Sequence, residues 1–529
     1  MLLMPSDTVA PLATQPSTFK TFATSLFRTR DLDKTLADQA ANSQLKRTLS
    51  AFDLVIFGVG AMIGAGIFVL TGSAAADGAG PAITLSFMLT GAVCATCALC
   101  YSEFASMAPI SGSAYSYALS TLGELIAWII GWALVLEYAV GNMAVAVGWT
   151  GTLNEFLRST FNVAMPPMLT GNTVEMIEHG GLLPPAELLV KQWHFTLPGA
   201  AEATTLVVQK AFNLPAFIIV LLVTALLIRG MGESAQTAKI MVFIKTGVIL
   251  MFIAAGILFL AFGHMDLLKL NWFANGWDTF APNGFDGILT GAATIFFAYI
   301  GFDAVACAAE ETKNPSRDVP IGILGSLALC TVLYILVAGL ITALVPLDQI
   351  NREAAVTHAM NIMHIPFAGL VVNLGALAGL TSVLLVLQMA GIRIFYSIAR
   401  DGLLPRVLAQ VHPKFATPHI TTILVGLFVA IGSGMLPITM LAHMCNIGTL
   451  AAFMVVCFGV GMLRFTDPQR HRPFKAPLGL TLPLLGVAGC LFVGQGLPPE
   501  TWFISGLWFL LGLVIYFLYG YKHSMLAPK

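Results

Sequence analysis

Lys245, Glu137 and Asp303 each interrupt a long apolar run. In the hydrocarbon core of a bilayer such a residue costs about 2.5–3.5 kcal/mol on insertion scales. It is kept there for ion pathways, proton relays or charge pairs. Lys245 lies about nine residues into its run, roughly 14 Å deep at 1.5 Å per residue. A lysine shut off from water can gain and lose a proton, which suits a coupling-proton carrier. The same residue suits a fixed cation where a sodium ion would otherwise sit, or a structural partner for a carboxylate or backbone carbonyls. Glu137 and Asp303 also have two readings. They hold helices in register through polar neighbours, or they relay protons.

Two further stretches offer chemistry through the backbone. The first is Gly58-Val-Gly-Ala-Met-Ile-Gly-Ala-Gly-Ile-Phe68, with four glycines in nine residues from Gly58. Each glycine disfavours a helix by roughly 1 kcal/mol. The second is Thr294-Ile-Phe-Phe-Ala-Tyr-Ile-Gly-Phe-Asp303, where Gly301 and Asp303 break the pattern. Glycines in membrane helices also serve close packing. A broken helix, however, exposes amides at one half-helix end and carbonyls at the other. Amides near Ala65 and Gly66 would hold a carboxylate. Carbonyls around Phe297, Ala298 and Ile300 would hold an ammonium. A ligand that needs both is an α-amino acid zwitterion.

The remaining polar residues have plainer readings. His443 and Asn446 read as interhelical hydrogen-bond partners, Gln388 as packing and Met389 as pocket wall. Glu310, Glu311, Lys313, Arg317 and Asp318 form either a solvated loop or an inner gate. Cys94, Cys97 and Cys100 have a metal-like spacing but sit in an unbroken apolar run, which favours small residues on a packed helix. No Walker loop, HExxH or GxSxG motif occurs, so the reading includes no enzyme, no catalytic residue, no metal and no cofactor.

The elements that must position these residues follow from composition. Of 529 residues, 26 are Lys or Arg and 27 Asp or Glu, 10% in all, against roughly 25% in soluble domains. Hydrophobic residues make up 57%, and mean hydropathy is +0.84. This excludes a cytosolic enzyme, a disordered regulator and a nucleic-acid binder. A bilayer span needs about 20 apolar residues, and long apolar runs there mean helices. The pattern predicts an all-α polytopic membrane protein of twelve spans: 53–72, 80–107, 123–153, 212–228, 236–262, 287–310, 321–345, 367–399, 419–435, 438–463, 479–497 and 502–520. With the N-terminus inside, 20 Lys/Arg fall in inner segments and five in outer ones. The positive-inside rule then places both termini in the cytoplasm. The first 50 residues are polar and mixed and do not read as a signal peptide. Loop 154–211 reads as a partly ordered outer cap. Spans one and six occupy matching positions in two five-span units, and matched interrupted helices point to a midplane site.

Several motifs carry a family likeness. They include Leu26-Phe-Arg, Leu45-Lys-Arg-Thr-Leu, Gly58–Gly72, Tyr101-Ser-Glu-Phe-Ala-Ser-Met and Ile110-Ser-Gly-Ser-Ala-Tyr-Ser-Tyr. Further along stand Leu136-Glu-Tyr, Phe296-Phe-Ala-Tyr-Ile-Gly-Phe-Asp, Glu310-Glu-Thr-Lys-Asn-Pro, Arg317-Asp-Val-Pro, Arg400-Asp-Gly-Leu-Leu-Pro and Asn446-Ile-Gly-Thr-Leu. The sequence resembles bacterial permeases of the cationic amino acid transporter family, within the amino acid–polyamine–organocation superfamily. The resemblance implies a leucine-transporter-like 5+5 inverted repeat with helices one and six broken. Its units would be tail 1–52, repeats 53–262 and 263–463, helices eleven and twelve in 464–520, and tail 521–529.

The resemblance also implies amino acid transport across a bacterial cytoplasmic membrane by alternating access, with proton symport expected. Exchange is the alternative, and a non-transporting nutrient sensor of the same fold is a third. The family's carboxylate site falls on Ile63, Ala65 and Gly66, and its amine site on Phe297, Ala298 and Ile300. Its helix-five lysine falls on Lys245, and its acidic pair on Glu137 and Asp303. Expected partners are an amino acid, a proton and the lipid bilayer, with room for a small single-span membrane partner. The family's Gly-Gln-x-Arg in helix eight is replaced by Ala390-Gly-Ile-Arg393, which leaves side-chain selectivity open.

Overall fold

A computed structural model describes residues 26, 28–29, 47–107, 113–177, 187–195, 204–230, 235–352, 354–365, 367–415 and 417–526. The expected inner charges Lys20, Arg30, Lys34, Lys46 and Lys529, and the Ile110-Ser-Gly part of one motif, lie outside them.

The principal helices are α1 (Ala51–Met62), α2 (Ile83–Met107), α3 (Glu124–Phe161), α4 (Leu214–Ile228), α5 (Ala235–Phe259) and α6 (Gly284–Ile295). They continue with α7 (Pro315–Leu344), α8 (Ala368–Arg400), α9 (His419–Met435), α10 (Ile438–Thr466), α11 (Thr481–Gly494) and α12 (Pro499–Ile515). Among the described residues, eight helical stretches are long and apolar enough to cross a membrane, and α1, α4, α9 and α11 are shorter apolar helices. Large apolar side chains such as Leu222 and Leu226 of α4, Leu427 and Phe428 of α9, and Leu510 and Leu511 of α12 are exposed. A bilayer is the medium that covers such faces. The chain is thus a mostly helical, multi-pass membrane protein.

Local sequence sets the helix starts. Ser50 and Asp53 cap α1 reciprocally: Ser50 N–H donates to Asp53 Oδ2 (2.9 Å) and Asp53 N–H to Ser50 Oγ (3.4 Å). Asn213 caps α4 by accepting from Ala216 N–H (3.1 Å). The same Oδ1 accepts from Thr150 Oγ1 (2.8 Å), fixing α4 to α3.

Packing is reciprocal between the first five helices and the next five. Helices α2 and α7, α3 and α8, and α4 and α9 pack on each other. The cross pairs come as mates: α1–α7 with α2–α6, α5–α8 with α3–α10, α1–α5 with α6–α10, and α2–α10 with α5–α7. Helices α11 and α12 stand outside this scheme and pack mainly on α10 and α2.

The connection after α3 departs from a purely helical chain. It holds β1 (Val174–Ile177), β2 (Leu189–Phe195) and β3 (Thr204–Gln209), in antiparallel order β1-β3-β2. Val207 pairs with Glu175 and Gln192, and its side chain is buried. The run of Thr and Val in β3 suits a strand. It was hidden in the sequence because the loop reads as merely Pro- and Gly-rich.

At the opposite end, Thr48 and Leu49 donate backbone hydrogen bonds to Glu311 O (2.9 and 3.0 Å), and Lys313 N–H returns one to Leu49 O (2.9 Å). The charged segment after span six is therefore tied to the residues that precede α1.

Candidate functional site

The first break follows α1 directly. Ile63 is extended (φ −72°, ψ 99°), and the chain is helical again from Gly66. The second follows α6, where a tight turn over Phe296–Tyr299 leads to an extended Ile300 (φ −64°, ψ 132°). Gly301 then takes φ +120°, which a side chain would strain. The two breaks pack on each other reciprocally. A Cβ on Gly66 would lie 2.4 Å from Ala298 Cα, and one on Gly301 would lie 2.9 Å from Ala61 Cβ. Glycine at both places lets the two unwound backbones touch.

Between the breaks is a small cavity. It is lined by Ala61, Met62, Gly64, Ala65 and Gly66, by Gly141 and Val145 of α3, by Phe297 and Ile300, and by Val383 and Leu387 of α8. The space measures about 10 Å³, room for about one water. None of these lining side chains is ionisable, so polar recognition falls to the backbone.

The structure brings together four of the six residues expected at the substrate: Ala65, Gly66, Phe297 and Ile300 line the cavity. Ala298 lies behind, packed on Gly66. The Ile63 carbonyl is engaged elsewhere, accepting from Lys245 Nζ at 3.0 Å. Lys245 is fully buried and also donates to Gly60 O. It therefore clasps the last carbonyls of α1, at the C-terminal end of that half-helix, where a cation is favoured.

Glu137 and Asp303 are both fully buried. Tyr138 Oη donates to Asp303 Oδ2 (2.8 Å), and Asp303 Oδ1 has no hydrogen-bond partner among the described residues. Neither Glu137 carboxyl oxygen has one either. The nearby Thr449 hydroxyl donates to Cys445 O (3.1 Å). The two acids lie near one another, one on α3 and one just past the second break.

Polar residues of α10 and α8 hold the surroundings. Asn446 Nδ2 donates to Ala293 O (2.7 Å), and His443 Nε2 lies 3.3 Å from Thr294 Oγ1, so both act as the expected interhelical partners. Gln388 does more than pack. Its Nε2 donates to Thr224 Oγ1 (2.6 Å), and its Oε1 accepts from Asn142 Nδ2 (3.4 Å).

Sequence reasoning gave Tyr138 and Glu103 no role. Glu103 accepts from Arg464 Nε (3.2 Å) and from Ala476 N–H (2.8 Å), and Arg472 Nε lies 3.3 Å away. Both were visible only inside longer motifs, and each partner lies far along the chain.

The sequence model for the amino acid permease family matches residues 49–521. A methylthioribose transporter of Bacillus subtilis (strain 168) is 41% identical over 502 residues, covering 95% of this chain and 99% of that protein. A branched-chain amino acid permease of the same organism is 40% identical over 507 residues, again 95% and 99%. A vacuolar cationic amino acid transporter of Arabidopsis thaliana is 36% identical over 449 residues, 84% of this chain and 68% of that one.

Proposed function

The chain belongs to the amino acid permease family, and from that premise we propose that it carries neutral amino acids across a bacterial cytoplasmic membrane by proton symport. It is a transporter and not an enzyme. The observation that carries the substrate class is the cavity between the two breaks. Its polar groups are backbone amides and carbonyls, and its side chains are apolar. A half-helix start at Ala65 and Gly66 attracts the carboxylate. The carbonyl end at Phe297, Ala298 and Ile300 attracts the ammonium. Met62, Val145, Val383 and Leu387 then favour an uncharged side chain, in keeping with the branched-chain relative.

The reciprocal packing supports a 5+5 inverted repeat within twelve transmembrane helices, since exchanging each helix with its fifth successor reproduces most of the contact pairs. The excess of Lys and Arg at the ends of α5, α8 and α10 supports a cytoplasmic location for both termini. In this reading Lys245, Glu137 and Asp303 couple the proton to the breaks. Lys245 clasps the end of α1, so a change in its charge alters how firmly that half-helix is held.

The test is uptake by the purified protein in liposomes. An imposed inward proton gradient should drive accumulation of radiolabelled L-leucine into vesicles with no internal amino acid. Accumulation that follows sodium and ignores pH would overturn proton coupling. Uptake that appears only after preloading with amino acid would make the protein an exchanger.

A further inference from the structure

A second cavity lies among α10, α11 and α12 and shares no lining residue with the one at the breaks. It encloses about 160 Å³. Apolar side chains of α10 form one wall, Cys490 of α11 another, and Ser505 and Gly506 of α12 a third. Leu491 and Trp502, which also line it, are exposed, so its mouth opens on a face that lipid covers. We propose that this cavity takes a lipid-soluble quinone, which oxidises Cys490 and Cys97 to a disulfide.

The thiol pair carries the reaction. Cys490 and Cys97 are buried free cysteines on different helices, α11 and α2. Their sulfurs lie 3.5 Å apart. A disulfide needs about 2.05 Å, so a shift of about 1.5 Å joins them. The helices already press together here. One turn before Cys490, a Cβ on Gly486 would lie 2.6 Å from Cys457 Sγ and 3.5 Å from Thr96 Oγ1. Cys490 meets the cavity and Cys97 stands behind it, so the ligand reaches Cys490 first.

The cavity selects the oxidant. Ser505 is 1% exposed, and its hydroxyl has no hydrogen-bond partner among the described residues. A buried hydroxyl left unpaired is costly, and a ligand carbonyl would satisfy it. The Trp502 N–H is already engaged, donating to Gly494 O (3.3 Å). The rest of the lining is apolar and disfavours charged, water-borne oxidants. A dry apolar cavity of about 150 Å³ binds benzene, so this space suits one quinone ring. A quinone brings a carbonyl for Ser505 and takes two electrons from the thiols. Two S–H bonds break and one S–S bond forms. The two protons and two electrons pass to the quinone oxygens, and the hydroquinone leaves. The bond would staple α2 to α11. Helix α2 is in turn tied to α6, through Ser86 Oγ to Ile288 O (2.8 Å) and Thr90 Oγ1 to Ala292 O (3.1 Å). Since α6 leads into the second break, oxidation holds one wall of the central cavity still. That last step rests on the transport reading above.

The experiment treats the reduced, purified full chain in liposomes with decylubiquinone and follows the products by peptide mass spectrometry. A Cys97–Cys490 disulfide should form together with an equal amount of decylubiquinol, and neither should form in Cys490→Ser. Gly506 has open space where a Cβ would sit, so Gly506→Leu fills the cavity and should slow the reaction about tenfold. Ser505→Ala should slow it about fivefold. No disulfide in the wild type would overturn the site, as would wild-type rates in Gly506→Leu and Ser505→Ala. The oxidised protein should take up radiolabelled L-leucine at less than a fifth of its reduced rate, with dithiothreitol restoring it. Equal rates would overturn the staple. Reduced wild-type protein that takes up no L-leucine would count against the transport reading alone, because the disulfide is measured without transport.

Discussion

Two buried carboxyl sites in this protein are built in opposite ways. Glu103 of α2 accepts from Arg464 Nε at 3.2 Å and from Ala476 N–H at 2.8 Å, and the Arg472 guanidinium pairs with it at 3.3 Å. Its partners come from α10 and the segment after it, so the cluster ties three parts of the chain together. Glu137 and Asp303, near the breaks, have one side-chain hydrogen bond between them among the described residues, from Tyr138 Oη to Asp303 Oδ2. A fully paired buried carboxylate is fixed, because changing its charge breaks the pairing. A carboxyl with no cation beside it can exchange a proton without breaking an ion pair. The difference separates acids that hold the fold from acids free to work.

The largest effect should come from the paired site. Glu103→Ala leaves two buried guanidiniums without a counter-charge, and breaking such a pair costs about 3–5 kcal/mol. Thermal unfolding in detergent should show a large loss of stability and a low yield of folded protein. A Glu103→Ala protein as stable as wild type would erase the contrast. Next comes Lys245→Ala, which removes the ammonium that holds Gly60 O and Ile63 O. Gradient-driven uptake of L-leucine should fall below a tenth of wild type, with folded protein still recovered. Retained uptake with an unchanged pH profile would make Lys245 a structural clasp alone.

This contrast was only half legible in the sequence. Lys245, Glu137 and Asp303 stood out because each interrupts an apolar run, and bilayer energetics makes such residues conspicuous. Glu103 did not, because it sits near a helix end, where charges are ordinary. Its meaning depends on Arg464, 361 residues away. The breaks were legible from the glycine cluster and Gly301, since local propensity reports them. Gly66 was expected to admit a carboxylate to the backbone. The structure adds that it also admits Ala298, a contact set by tertiary packing that no local pattern encodes.

The unpaired site should respond through pH more than through stability. Glu137→Gln keeps the shape of the side chain and removes its exchangeable proton. Folded yield should stay near wild type, while the dependence of L-leucine uptake on external pH flattens. A Glu137→Gln protein that keeps the full pH dependence would assign the proton elsewhere, with Asp303→Asn the next variant to measure. A large loss of stability instead would place Glu137 beside Glu103 as a structural acid.

The smallest effect, and the sharpest for the comparison, belongs to Tyr138→Phe. The ring stays and the packing of α3 is kept, so the change is one hydroxyl. That hydroxyl donates to Asp303 Oδ2 at 2.8 Å. Leaving one buried acceptor unsatisfied costs about 1–3 kcal/mol, below the cost expected at Glu103. Thermal unfolding should therefore show a modest loss, with proton-driven uptake retained. If Tyr138→Phe were as damaging as Glu103→Ala, the single hydroxyl would be holding Asp303 as firmly as two guanidiniums hold Glu103. The two sites would then be alike in kind, and proton exchange near the breaks would have to rest on Lys245. A modest loss with intact coupling leaves Asp303 a lightly held acid.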